Sequence, residues 1–194
     1  MSENMIVEIE GSGRHVHLND EAAKALFGTA DLPVKRPLTL PSVWVYDAKL
    51  TLVGPRGKIE GVSVLGPHRK DVQVELSFTD ARILGINPPI RNSGDTKDSA
   101  PIKLIGPKGE LDLKEGAIVA NRHIHMCLAD AEKYGFKDKD VVKVRMGKER
   151  CIVMENVLVR LLKDAPFSNM HIDYDEQNAA GLSEKPMLGE VIKY

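Results

Sequence analysis

Seven segments of this chain alternate apolar with polar residues or are rich in valine and isoleucine: "KLTLVG", "VSVLG", "VQVELS", "PIKLIG", "AIVA", "VVKVRM" and "CIVMENVLVRL". Each reads as a strand with one face buried. Helical signals are short and few. They cover 21–27, with Asn19 or Asp20 as N-cap and Gly28 as stop; 80–84, behind Thr79 as cap; and 129–134, ending at Gly135. Many short strands with turn signals between them predict a mainly β fold built from small barrels rather than an open parallel sheet.

Two local patterns recur. A Gly-Pro-basic-Gly turn occurs in "TLVGPRGKI" at 51–59 and in "KLIGPKGEL" at 103–111, each time between strand-like runs. Arg-His-x-His occurs in "GRHVHL" at 13–18 and in "NRHIHM" at 121–126. The histidine pair precedes the turn in the first half and follows it in the second. Two related β-barrel domains that exchange a terminal strand would reconcile that order. The stretch "INPPIRNSGDTKDSA" at 86–100 is the expected linker, which gives a first domain at 1–90 and a second at 91–194.

With 42% hydrophobic residues, 28% charged residues and a net charge of -1, the chain carries no disorder signature and no nucleic-acid footprint. No apolar run approaches the roughly 20 residues of a membrane span. The start "MSENMIVEIEG" lacks the regions of a secretory signal, so a cytoplasmic protein without membrane or nucleic-acid partners is expected. Cys127 and Cys151 form no Cys-x-x-Cys pair. A bound metal would therefore need histidine and carboxylate ligands.

Four of the six histidines lie in the two Arg-His-x-His copies. Residues i and i+2 of a strand share a face, so His15 and His17 can converge on one ion while Val16 and Leu18 turn to the core. His123 and His125 repeat this, with Ile124 and Met126 inward. A catalytic zinc typically has three protein ligands and one open position, so each pair needs a third. A single His-x-His is more often an ordinary surface or core feature; its duplication favours metal.

Three residues are candidates for the third position. In "RKDVQVELS" alternation separates Val72, Val74 and Leu76 from Asp71, Gln73 and Glu75, which puts Glu75 on the polar face; the bland alternative is an exposed strand residue. His171 sits in "NMHIDYDEQN", a strand-like run, although the stronger reading is that it simply begins a helix capped by Asp173. Cys127 shares parity with His123 and His125, although an isolated cysteine beside a helix start is more often a small buried apolar residue. These residues alone do not fix how the ligands assort. Arg69, flanked by His68 and Lys70, offers a planar fork suited to phosphate; alone it would read as part of a solvated basic turn. On a continuing strand it has the parity of Glu75, so an anion binder and a metal ligand would face one cavity.

The ordered set "SGRHVHL", "TLVGPRGKIEGVSVLGPHRKDVQVELSFTDARILGI", "PPIRNSGD", "LIGPKGELDLKEGAIVANRHIHM" and "MHIDYDEQNAAGL" resembles the PduL-type phosphotransacylases, the phosphate propanoyltransferases, from about residue 12 to 182. The resemblance implies two β-barrel domains with the active site between them. It implies interconversion of acyl-CoA plus inorganic phosphate with acyl phosphate plus CoA, the acyl group being propanoyl or acetyl. It further implies two zinc ions, one on His15, His17 and Glu75 and one on His123, His125 and His171, with Arg69 holding phosphate. Cys127 has no implied role. Arg82, Lys70 and Arg91 are basic residues available to CoA phosphates, although each reads more simply as a surface residue.

The resemblance also suggests a homodimer. Relatives that enter bacterial microcompartments often carry an amphipathic N-terminal extension, whereas fourteen residues precede His15, so a free cytoplasmic enzyme is expected and microcompartment association is the alternative. Two other classes use the same histidines: a zinc hydrolase in which metal-bound hydroxide replaces phosphate, and a non-catalytic module with structural zinc. A structural zinc site is closed by four ligands, and three per ion favours catalysis.

Overall fold

The computed structural model describes residues 4–183 and 185–194. These form mainly strands with four short helices, arranged in two units. One unit is Gly13–Ala120; the other combines β1 (Met5–Ser12) with Asn121–Tyr194.

The Gly13–Ala120 unit contains β2 (His15–His17), α1 (Asp20–Phe27), β3 (Val34–Pro37), β4 (Trp44–Val53), β5 (Lys58–Gly66), β6 (Gln73–Glu75), α2 (Phe78–Leu84), β7 (Ile90–Arg91), β8 (Ala100–Ile105) and β9 (Glu110–Ala120). Strands β4, β5, β2, β6, β9 and β8 follow one another around a ring, and β8 pairs with β4 to close it. Inside lie Val16, Leu18, Leu52, Val64, Val74 and Leu104, all fully buried. Burying a side chain of this size contributes about 1.5–3 kcal/mol relative to leaving it in water.

The second unit contains β10 (His123–Cys127), α3 (Leu128–Tyr134), β11 (Val141–Met146), β12 (Ile152–Leu162), β13 (Asn169–Asp173), α4 (Tyr174–Ala179) and β14 (Leu188–Ile192). Its ring runs β1, β13, β10, β12, β11, β14 and closes where β14 pairs with β1. Ile124, Met126, Val144, Val157, Val159 and Met170 fill it.

The two rings share one plan. β2 and β10 each pair in parallel with one neighbour, β5 or β12, and antiparallel with another, β6 or β13. The latter pairs in parallel with β9 in the first ring and with β1 in the second. The first strand of the chain thus occupies in the second ring the place that β9 occupies in the first. Because β8 and β9 pair with β4 and β6, the segment 86–100 is a connection inside the first unit, and the boundary expected at 90 lies instead at 120.

Both Gly-Pro-basic-Gly turns also belong to the first unit. The Gly54 N–H donates to Gly57 O at 2.9 Å and the Arg56 N–H to Leu84 O at 3.0 Å, while the Gly106 N–H donates to Gly109 O at 2.9 Å and the Lys108 N–H to Leu26 O at 3.0 Å. Each turn satisfies a carbonyl at the C-terminal end of a helix, α2 or α1, that would otherwise lack an intrahelical donor. The approach is close enough that a Cβ on Gly54 would lie 2.2 Å from Leu84 O, and one on Gly106 2.3 Å from Leu26 O. The duplicated turn is thus a symmetry within one barrel, which explains why its order relative to the histidines differs between the halves of the sequence.

Helix α1 has Asn19 as its cap, with Oδ1 accepting the Ala22 N–H at 2.8 Å. Helix α2 begins earlier than the expected Thr79 cap. Ser77 is the N-cap, and Ser77 and Asp80 form a reciprocal capping box. All four residues of β3 are exposed, so no alternation marks that strand in the sequence.

Candidate metal centres

β2 lies between β5 and β6, and all three of its residues are buried. Antiparallel register places His15 directly opposite Glu75. His15, His17 and Glu75 bring one ligand atom each to within 4.8 Å of one another. His15 Nε2 is 3.4 Å from Glu75 Oε2, and His17 Nε2 is 3.9 Å from Oε1. Glu75 is not the exposed strand residue of the bland alternative, since its side chain is only 12% exposed.

His15 Nδ1 lies 2.9 Å from Gly13 O. A carbonyl only accepts, so Nδ1 carries the proton and Nε2 faces the Glu75 carboxylate. A lone pair facing a carboxylate oxygen requires a proton or a cation between them. Electrostatics supports both readings. Burial lowers the His15 pKa, but the charge and hydrogen bond of Glu75 outweigh it and raise the pKa overall. Burial pushes the Glu75 carboxyl up, yet the neighbouring His15 and His17, with the Ser93 hydroxyl, hold it well below the usual range. Burial, together with the charges of His15 and Arg69, lowers His17 to about 2, so it is a neutral imidazole with a lone pair to offer.

Three residues extend this centre. Glu75 Oε1 accepts from Ser93 Oγ at 2.6 Å and from Gln73 Nε2 at 2.6 Å. Gln73 Nε2 also reaches Ser93 Oγ at 3.0 Å, and Gln73 Oε1 accepts the Gly94 N–H at 2.7 Å. Arg69 Nη1 donates to Ser93 Oγ at 3.1 Å, while its backbone N–H is held by Leu18 O at 2.8 Å. Arg69 is on the connection between β5 and β6, not on a continuation of β6, so the parity expected for it does not apply. Ser93 links it to Glu75 nonetheless. His68 is engaged elsewhere, its Nδ1 2.7 Å from Asp20 Oδ1.

The second cluster repeats the first. His123 and His125 lie on β10, and His171 on β13 stands directly opposite His123. Their ligand atoms also converge within 4.8 Å. His123 Nδ1 is 2.8 Å from Asn121 O, which again leaves Nε2 as the acceptor, 3.0 Å from His125 Nε2. For nitrogen ligands about 2.0–2.1 Å from an ion, a tetrahedral edge is roughly 3.3 Å. The 3.4 Å spacing of His15 and Glu75 and the 3.0 Å spacing of His123 and His125 fall on either side of that length. His171 Nε2 is 3.0 Å from Asn169 Nδ2 and 3.5 Å from Glu10 Oε2.

Both readings of "NMHIDYDEQN" hold at once, because β13 carries His171 and Asp173, its last residue, caps α4. Cys127 is buried at the end of β10 against the Ser168 hydroxyl, 3.6 Å from Sγ, and stands outside the triad. Lys70 and Arg82 are exposed, and Arg91 Nε lies 4.0 Å from Asp95 Oδ2.

Sequence reasoning missed Gln73, Ser93, Asn169 and Glu10. Gln73 had a signal, the alternation that groups it with Glu75. Ser93 lies in an irregular stretch with no periodicity. Glu10 and Asn169 are cross-strand neighbours whose pairing, β1 with β13, spans most of the chain. Among the described residues, no helix is long and apolar enough to cross a membrane.

The phosphate propanoyltransferase family model matches residues 8–183. The phosphate propanoyltransferase of Alkaliphilus metalliredigens is 46% identical over 190 residues, which is 97% of this chain and 89% of that protein. That of Listeria monocytogenes is 45% identical over 188 residues, 96% and 87% of the two chains. That of Thermotoga maritima is 47% identical over 174 residues, 89% and 82%. With two clusters able to hold metal, and with this similarity over nearly its whole length, the chain belongs to the phosphate propanoyltransferase family of acyltransferases.

Proposed function

We propose that the enzyme interconverts acyl-CoA plus inorganic phosphate with acyl phosphate plus CoA, for a propanoyl or acetyl group. His15, His17 and Glu75 would hold one zinc ion, and His123, His125 and His171 a second. The observation that carries this reading is the wiring of Arg69 through Ser93 to Glu75, which joins an anion-binding fork to a candidate metal ligand.

In the forward direction a phosphate oxygen forms a bond to the thioester carbonyl carbon, the carbon–sulfur bond breaks and CoA leaves as thiolate. Zinc bound at the triads would supply Lewis-acid polarisation of the carbonyl and stabilisation of the thiolate. Arg69 binds and orients phosphate; Ser93 fixes its Nη1, and the Leu18 carbonyl fixes its backbone. Holding phosphate beside the carbonyl removes much of the entropic part of the barrier. Phosphate is already an anion at neutral pH, so little general-base assistance is required. Nor is a protein nucleophile needed, and Cys127 is committed to packing against Ser168. Three ligands per ion leave a coordination position open, which supports catalysis over a closed structural site.

The test is CoA thiol release from propanoyl-CoA and acetyl-CoA, with and without phosphate, in wild type and Arg69→Ala. Release should require phosphate. Arg69→Ala should raise the KM for phosphate while metal content stays intact. Equal release without phosphate would identify a hydrolase, and no release from folded, zinc-replete protein would identify a structural-zinc module. The resemblance also implies a homodimer, in the cytoplasm or a bacterial microcompartment, which sedimentation and cell fractionation test.

A further inference from the structure

Each histidine pair is preceded by an arginine, and the structure gives both arginines the same unusual connection. Arg14 Nε and Nη2 both lie 2.8 Å from Asp80 Oδ1. Arg122 Nε lies 2.7 Å from Glu176 Oε1. Asp80 and Glu176 occupy equivalent places: each is the third residue of the helix that follows the strand carrying the third ligand. Each also closes a capping box, with Ser77 on α2 and with Asp173 on α4. Glu75 stands two residues before the first cap, and His171 two before the second.

Immediately before each arginine is the residue whose carbonyl receives the first histidine's Nδ1, Gly13 for His15 and Asn121 for His123. One chain of contacts thus runs, in each barrel, from the carbonyl that fixes the imidazole tautomer, through the next residue's guanidinium, to the helix cap adjoining the third ligand. The acids and the caps differ between barrels, yet the connection is the same. A duplicated geometry built from different residues points to a shared task at the neighbouring triads.

We propose that Arg14 and Arg122 are positioning residues. Each fixes the turn that aims the first histidine of its triad and ties that turn to the strand bearing the third ligand. The proposal rests on the reading that both triads hold metal. Arginine suits the task because its rigid fork sets direction as well as distance, which a lysine ammonium does not. Partners that orient metal-binding histidines in this way typically contribute about 10–100-fold in metal affinity.

The test is zinc titration of full-length protein stripped with a chelator, followed by Co2+ absorption as a report of ligand geometry. Removing Arg14 alone would strand the buried Asp80 carboxylate, so the informative variant is Arg14→Met/Asp80→Asn, which removes both charges and retains an acceptor for the Ser77 N–H. Metal-free, it should keep a thermal midpoint near that of metal-free wild type, yet one of the two zinc affinities should fall about 10–100-fold, with an altered Co2+ spectrum. Arg122→Met/Glu176→Gln should weaken the other site. Arg14→Lys, which keeps the charge without the fork, should fold normally and still lose affinity.

Wild-type affinity at both sites in the double variants, or in Arg14→Lys, would overturn the proposal and leave the metal reading intact. Wild-type protein that takes up fewer than two ions would overturn the metal reading and the proposal with it.

Discussion

Replacing Ser93 by alanine tests whether Arg69 and Glu75 work as one assembly. The hydroxyl donates to Glu75 Oε1 at 2.6 Å and accepts from Gln73 Nε2 at 3.0 Å and Arg69 Nη1 at 3.1 Å. Two of these three bonds involve a charged group. Such bonds each contribute about 1.5–3 kcal/mol net. Glu75 Oε1 would keep the Gln73 amide but lose the hydroxyl, and Arg69 would lose the Ser93 contact to its Nη1. Since about 1.4 kcal/mol corresponds to tenfold, zinc affinity at the first triad should fall by about 10–100-fold and the KM for phosphate should rise by about tenfold. The thermal midpoint of the zinc-loaded protein should fall as well, because the bonds to the hydroxyl are lost and a more weakly held ion stabilises the fold less. Calorimetric zinc titration and phosphate saturation curves read the two effects separately. If both stay within about twofold of wild type, the hydrogen bonds around Ser93 do not couple the two residues.

The glycines of the turns give a sharper structural test: Gly54→Ala and Gly106→Ala would each place a methyl against a backbone carbonyl, 2.2 Å from Leu84 O and 2.3 Å from Leu26 O. Each should destabilise the first barrel by about 1–3 kcal/mol in chemical denaturation, and an unchanged midpoint would mean the turns do not dock on the helices as described. Acidification of metal-free protein should also be destabilising. The folded pKa of His17 is lowered to about 2 from 6.5, so between those values the unfolded chain binds a proton that the folded one does not, and this contributes about 1.4 kcal/mol of lost stability per pH unit of fall. Glu75, held below 4.5, adds loss in the same direction once the pH falls through 4.5, whereas the raised His15 contributes stability below 6.5 that is lost only as pH rises. Between pH 6.5 and 4.5 His17 acts without Glu75, and stability that stays flat there would show that His17 is not held neutral.

The histidine pairs were legible because residues two apart on a strand share a face whatever surrounds the strand. Glu75 was legible because alternation continued through β6. Their assortment into triads was not, since it depends on which strands become neighbours, and the register of His15 with Glu75 and of His123 with His171 is fixed by whole rings. The same limit explains the misplaced boundary. Polar residues and prolines at 86–100 give a linker's composition, but the pairing of β8 with β4 is a long-range event that composition does not encode. Ser93 shows a third limit, because a serine in an irregular segment carries no periodic mark of the carboxylate it will meet.

The position of β1 in the second ring has a consequence for how the protein emerges from the ribosome. Glu8 pairs with Asn169, and Met5 with Val191, so β1 is synthesised more than 150 residues ahead of its partners. At the usual pace of translation, about 5–20 residues per second, that is a wait on the order of ten seconds or more. Meanwhile Gly13–Ala120 emerges as one uninterrupted stretch and has every strand of its own ring. During this time β1, with Met5, Val7 and Ile9 on one face, is a strand whose edges have no native partner and are open to mispairing. The second ring has to close around the oldest part of the chain with the newest, and its histidine centre cannot be completed until residue 171 has been made.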